Sequence, residues 1–121
     1  MKIGYVVLYV HDAQDCLRFW TEKMGMVEKS RQLAGEFAIV QVGFPDQDVA
    51  FELVPLALMQ DNPDNLDLAT PSIAMRVPDL AAARAELVGK GVQATEIGMH
   101  PGVESFAFPD NENRWFAVLQ G

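Results

Sequence analysis

The sequence predicts an α+β fold built from two βαβββ modules in a single domain, residues 1–121. Three observations predict it. The stretch GFPDQDVAFELV (residues 43–54) returns as AFPDNENRWFAV (residues 107–118), with Phe44-Pro45-Asp46 on Phe108-Pro109-Asp110 at a shift of 64 residues (108 − 44). Val10-His11-Asp12 returns as Val77-Pro78-Asp79 at a shift of 67 (77 − 10). Each half also opens with an alternating strand pattern that runs straight into a helical one. Two anchors in the same order mark a duplicated module, and the difference between the shifts requires only a small loop deletion.

In the first opening strand, GYVVLYV, side chains alternate so that Val6, Leu8 and Val10 share one face while Tyr5, Val7 and Tyr9 share the other. Asp12 then stands where a helix N-cap is wanted, its carboxylate able to accept a bond from a first-turn amide. Ala13, Cys16, Leu17, Trp20 and Met24 recur at helical spacing, and Gly25 supplies a stop. Phe19 and Trp20 lie on or beside that stripe and read as core. Cys16 falls on it too and reads as an inert core thiol, with no basic neighbour to activate it. Three strand-like runs follow, residues 27–33, 37–44 and 49–55.

The stretch LALMQDNPDNLDLAT (residues 56–70) is acidic, carries Pro63 and has no clean period. It reads as the linker between module one (1–55) and module two (71–121). In SIAMRV, Ile73, Met75 and Val77 alternate with Ser72, Ala74 and Arg76; Asp79 caps an Ala-rich helix carrying Leu80, Ala83, Leu87 and Val88, which ends near Gly89 and Gly91. Strand runs at 94–99, 104–108 and 115–119 complete the second module. Trp115 is expected to anchor the second helix on its sheet.

Composition narrows the function. A chain of 121 residues, half of them apolar and about a fifth charged, has the length and balance of one folded domain. The net charge of −8, without any Lys/Arg cluster, argues against a nucleic-acid partner and leaves neutral or cationic small molecules. One cysteine excludes an internal disulfide. Neither a leader pattern nor a bilayer-length apolar run is visible, so a soluble cytoplasmic protein with no membrane partner is the expectation.

Two βαβββ modules in about 120 residues, an Asp-capped helix containing Phe19-Trp20 and ending Met24-Gly25-Met26, and the close Phe-Pro-Asp-x-x-Asn-Arg-Trp together resemble the vicinal oxygen chelate superfamily. This is the group of glyoxalase I, extradiol dioxygenases and the bleomycin-resistance proteins, and the resemblance spans essentially the whole chain. It implies a sheet from each module curling around a pocket, with the helices on the outer face. The alternation agrees. One face, with Val6, Leu8, Val10, Phe51, Leu53, Ile73, Met75, Val77, Trp115, Ala117 and Leu119, is almost wholly apolar, as a helix-covered face should be. The other, with Tyr5, Tyr9, Glu52, Ser72, Arg76, Arg114 and Phe116, is mixed, as a ligand pocket requires; the competing reading is a partly solvated sheet surface. The resemblance also implies homodimers, in which a partner subunit can complete the pocket.

Metal-dependent relatives carry ligands at four positions, which here are Tyr5, Glu52, Ser72 and Phe116. Only Glu52 is of the right type, and one carboxylate cannot hold a catalytic divalent metal, so no metal or other cofactor is expected. His11, beside the N-cap, and His100, in a His-Pro-Gly loop, read as surface residues. In a dry pocket Glu52 could serve as a general base. Equally, it could attract a cationic ligand whose flat parts stack on Tyr5, Tyr9 and Phe116, or simply pair with Arg76 or Arg114. The leading expectation is a metal-free protein that binds or sequesters a cationic or aromatic compound. The alternatives are a glyoxalase-like lyase with a divergent metal site and a metal-free isomerase using Glu52 as base.

Overall fold

The first alternating run forms β1 (Tyr5–Val10), and the Asp12 Oδ1 then accepts the Asp15 amide at 3.0 Å to start α1 (Ala13–Glu22). The capping chemistry is thus as the sequence indicates. The computed structural model of the chain describes residues 1–100 and 102–121, with His100 described by its backbone alone. Past α1 the chain turns through Gly25, whose φ of 77° is a conformation that glycine adopts at little cost. It then lays down β2 (Val27–Ala34), β3 (Phe37–Gly43) and β4 (Ala50–Pro55). The sheet order is β1-β4-β3-β2, with β1 parallel to β4 and the other pairs antiparallel. A Cβ on Gly43 would lie 2.8 Å from the Val49 carbonyl oxygen, so the end of β3 requires glycine where the chain approaches β4. These strands and α1 belong to a unit spanning Met1–Thr70.

The core of this unit is the α1 stripe Ala13, Cys16, Leu17 and Trp20 against Leu8, Val10, Val40, Val42, Phe51 and Leu53, all of them buried. Trp20 meets Phe51 edge-on, with centroids 5.1 Å apart, an arrangement that the quadrupoles of the two rings favour. Register explains why these residues share a side. Val6 pairs with Phe51 and Leu8 with Leu53 across β1/β4, while Val40 pairs with Leu53 and Val42 with Phe51 across β3/β4. After β4 come a single 3-10 turn, Leu56–Met59, and an irregular stretch in which Asn62 bonds the backbone of Leu66 in both directions.

The second unit, Pro71–Gly121, repeats the plan with β5 (Ala74–Val77), α2 (Leu80–Gly89), β6 (Gly98–His100), β7 (Val103–Pro109) and β8 (Trp115–Gln120), in the order β5-β8-β7-β6. The Asp79 Oδ1 accepts the Ala82 amide at 3.0 Å, matching Asp12. Gln120 fixes the start of α2 on this sheet, accepting the Leu80 amide at 3.0 Å and donating to the Pro78 carbonyl at 2.6 Å. Leu80, Leu87, Val92, Phe106, Phe108, Phe116 and Val118 are buried, and the rings of Phe108 and Phe116 stack at 5.6 Å. No helix among the described residues is long and apolar enough to cross a membrane.

Here the expected facing of the last strand is corrected. Val7 pairs with Glu52 in the first unit, and Ala74 pairs with Ala117 in the second. The opening strands therefore correspond at a shift of 67 (74 − 7), and the closing strands at 65 (117 − 52), not at the 64 of the Phe-Pro-Asp anchor. The Phe-Pro-Asp tripeptides are themselves two residues out of step, since Gln41 pairs with Glu52 and Ala107 with Ala117 (107 − 41), and the turn before β4 (44–49) holds one residue more than the turn before β8 (110–114). Asn113 sits in it at a φ of 61°, within a loop tied by Asp110. Because strand side chains alternate, one residue reverses every face downstream. Phe116 and Val118 point to the α2 side, while Trp115, Ala117 and Leu119 lie on the open side; Trp115 is 54 % exposed. Glu52 therefore corresponds to Ala117, not to Phe116.

Candidate functional site

In the first unit the face opposite α1 carries the row Val7, Glu52, Gln41 and Ser30, each paired with the next across the four strands. Tyr5 and Tyr9 stand on β1 two positions either side of Val7. Glu52 and Gln41 are half-buried, and the Gln41 Nε2 donates to Glu52 Oε1 at 3.1 Å. The other carboxylate oxygen receives no hydrogen bond from a described residue. This face thus presents a carboxylate held by one amide, with one oxygen open, beside two phenol rings. A donor or cation arriving at the sheet would meet a preformed acceptor.

The second unit's open face differs in chemistry. Ser72, Ala74 and Arg76 are exposed, and Arg76 pairs in register with Leu119. Ala107 and Ala117 are cross-strand partners on this side, as are Ser105 and Leu119. Together with Thr95, Glu96, Gly98 and Phe106 these residues line a hollow of about 410 Å³. Its origin is local. The strand expected over 94–99 forms a β6 ladder only from Gly98, because Glu96 and Ile97 leave the pairing. Thr95 then rejoins β7, its amide donating to the Ala107 carbonyl at 2.8 Å and its hydroxyl accepting the Ala107 amide at 2.9 Å. Arg84 of α2 holds this segment from behind, donating to the Thr95 carbonyl at 2.7 Å and to Glu96 at 3.3 Å.

Two residues expected on the pocket face are not there. Phe116 is 1 % exposed on the α2 side. Arg114 is buried in the β7–β8 turn, its Nη1 3.3 Å from Asp110 Oδ2 and its Nη2 2.8 Å from Glu112 Oε1. Burial works against its charge, but the hydrogen bond to Glu112 and the charges of Asp110 and Glu112 outweigh that cost and hold the guanidinium above the usual arginine value. Arg114 therefore stabilises a turn. Tyr5, Tyr9 and Glu52 share one sheet face in the first unit, and Ser72 and Arg76 share one in the second. His11 is exposed, and the side chain of His100 lies outside the described residues.

The donor set does not fit a divalent metal. At the four positions, the first unit offers Glu52 and the Tyr5 phenol, with Tyr9 beside them; the second offers Ser72 and, at the position corresponding to Glu52, Ala117. Among the described residues no three His, Cys, Asp or Glu side chains gather to hold an ion. The sequence reading missed Gln41, Thr95, Ser105, Ala107, Ala117 and Leu119. Gln41 had a visible signal, as the polar residue inside the apolar run FAIVQVG. Ala117 and Leu119 lie on the strand that the Phe-Pro-Asp anchor misaligns by one residue, and the rest emerge only from the pairing around β7.

Two parallel-capped four-stranded sheets, each covered by an Asp-capped helix on one side and open on the other, define a duplicated βαβββ protein. The chain belongs to the Glyoxalase/Bleomycin resistance protein/Dioxygenase superfamily, whose family model matches residues 2–116. Its fold is similar to that of TnmS3, an antibiotic binding protein from Streptomyces sp. CB03234, at a TM-score of 0.81 and 18 % identity over 99 % of this chain and 95 % of that one. A superfamily member from Sphaerobacter thermophilus DSM 20745 gives a TM-score of 0.84 at 20 % identity, covering 100 % and 98 %. Lactoylglutathione lyase from Agrobacterium tumefaciens gives 0.74 at 15 %, covering 99 % and 93 %. No curated protein matches the sequence. At such identities the likeness is one of fold, and the site has to be read from its own residues.

Proposed function

We propose that the chain is a metal-free binding protein of the glyoxalase/bleomycin-resistance type, taking up a cationic or aromatic small molecule and releasing it unchanged. The observation that carries this reading is Glu52: a half-buried carboxylate on an open sheet face, oriented by Gln41, with one oxygen that no described residue bonds and Tyr5 and Tyr9 on the same side. The overall charge of −8 favours cationic ligands at a distance. That TnmS3, with the same fold, is an antibiotic binding protein adds support of the same kind.

The enzymatic readings have less behind them. A glyoxalase-like lyase needs a Lewis acid, for which the open faces offer too few ligands. An isomerase using Glu52 as base could return the proton from the same carboxylate, but the neighbour Gln41 is an amide that does not titrate and adds no second acid or base. The test is calorimetric titration with bleomycin as the cationic probe. Binding is expected, Glu52→Gln should weaken it at least tenfold, about the loss of one charge-assisted bond, and mass spectrometry should recover the ligand intact. Unchanged affinity in the variant would remove Glu52 from the site, and a chemically altered ligand would make the protein an enzyme.

A further inference from the structure

β2 lies at one end of the first sheet and, at eight residues, is the longest of the described strands. Such an edge is a template for another chain, because one row of its backbone groups lacks a neighbouring strand. The two-residue turn Gly35-Glu36 joins Ala34 to Phe37, so Ala34, Gln32 and Ser30 bond to β3 while Arg31 and Leu33 turn their amides and carbonyls outward. Leu33 is also 76 % exposed. The edge is interrupted once: Glu28 pairs with Val42 and Ser30 with Gln41, which leaves Lys29 as an extra residue, a β-bulge. Two side-chain contacts hold it. Residues three apart in a regular strand point to opposite faces, yet Arg31 Nη2 lies 2.7 Å from Glu28 Oε1 and its Nε 3.3 Å from Oε2. The extra residue brings the two side chains together, and their pairing clips the bulge; the hydrogen bond from Arg31 holds the Glu28 carboxyl below its usual value. The Lys29 Nζ donates to the Gln47 carbonyl in the loop between β3 and β4, and its stem passes over Gly43, where a Cβ would lie 3.1 Å from Lys29 Cε. This tie fixes the extra residue at one place along the strand.

In a regular β2 the same charges would serve a second copy of the chain. Without Lys29 the ladder to β3 closes with no gap, since Glu28 opposite Val42 and Ser30 opposite Gln41 become consecutive pairs. Two such strands laid antiparallel and centred on Ser30 would set Arg31 of each copy opposite Glu28 of the other, at positions whose backbone groups both face outward. An opposite-charge pair would then stand on each side of the centre, which stabilises a cross-strand ladder. The bulge falls at the middle of that ladder and commits both charges within one chain. We propose that the Lys29 bulge, with its Glu28–Arg31 clip and its tie to Gln47, is a guard that stops β2 from pairing with β2 of a second copy. The second unit is guarded differently, because its corresponding edge strand, β6, spans three residues.

The experiment deletes Lys29 from the full-length chain and measures native mass by light scattering over a range of concentrations. The variant is expected to keep the amide NMR pattern of the folded protein and to reach roughly twice the native mass of the parent, as a symmetric pairing of edges gives. Hydrogen exchange at the Arg31 and Leu33 amides should slow in the associated form. Arg31→Glu in the deletion variant sets like charges opposite and should return the mass to that of the parent; adding Glu28→Arg restores opposite charges and should bring the association back. Lys29→Ala keeps the chain length and releases only the tie to Gln47, so it should show the same association at higher concentration. A folded deletion variant at the parent's mass, or association indifferent to the charges at positions 28 and 31, would overturn the proposal. Should the deletion variant fail to fold, Lys29→Ala decides, and the parent's mass at every concentration would overturn it likewise.

Discussion

Phe116 and Trp115 are adjacent aromatic residues whose surroundings are opposite. Phe116 is buried under α2 and stacked on Phe108, whereas more than half of Trp115 is exposed. Phe116→Ala should therefore cost about 3 to 5 kcal/mol of stability, the usual toll of deleting a buried aromatic ring. Trp115→Ala should cost under about 1 kcal/mol, as a change on open surface does. Urea denaturation of the two variants checks this, and a reversed order would restore the face assignment that the Phe-Pro-Asp alignment implied. The same inversion relocates Arg114. Its side chain looked available for a ligand in the sequence, but Asp110 and Glu112, four and two residues earlier, claim it, a local pairing that strand alternation does not reveal.

At the scale of elements, the strands and helices were legible because their signals are local. Alternation in YVVLYV produced β1, and a carboxylate before each helical stripe produced α1 and α2. The two caps make the same bond at the same 3.0 Å. Asp12→Ala and Asp79→Ala should each lower stability by about 1 kcal/mol, measurable by chemical denaturation; a loss near zero in either would mean that its helix start is held by other contacts. For α2 such a contact is already visible, since Gln120 binds the Leu80 amide. What the local signals missed is where a ladder stops. The run 94–99 has the composition of a strand, yet Glu96 and Ile97 leave the pairing because Thr95 satisfies both ladder groups of Ala107, one of them through its side chain. That departure creates the hollow.

For the whole molecule, the family resemblance and the prevalence of symmetric pairs lead to an expected native mass of twice 13.4 kDa. Light scattering on the purified protein tests it, and a monomer at micromolar concentration would contradict it. Elemental analysis of protein prepared without chelator is expected to find no stoichiometric divalent metal; one ion per chain would mean that ligands beyond the open faces join Glu52. The sequence by itself determined the duplicated βαβββ plan, the capped helices, the helix-covered face of the first unit and the candidacy of Glu52, because periodicity and capping are written over a few neighbouring residues. Only the tertiary structure decided which face of β8 is open, that Arg114 is spent on a turn, that Gln41 orients Glu52 and that a hollow lies over Ala107 and Ala117. Each of those depends on pairing between segments distant in sequence, where a one-residue shift of register exchanges inside for outside.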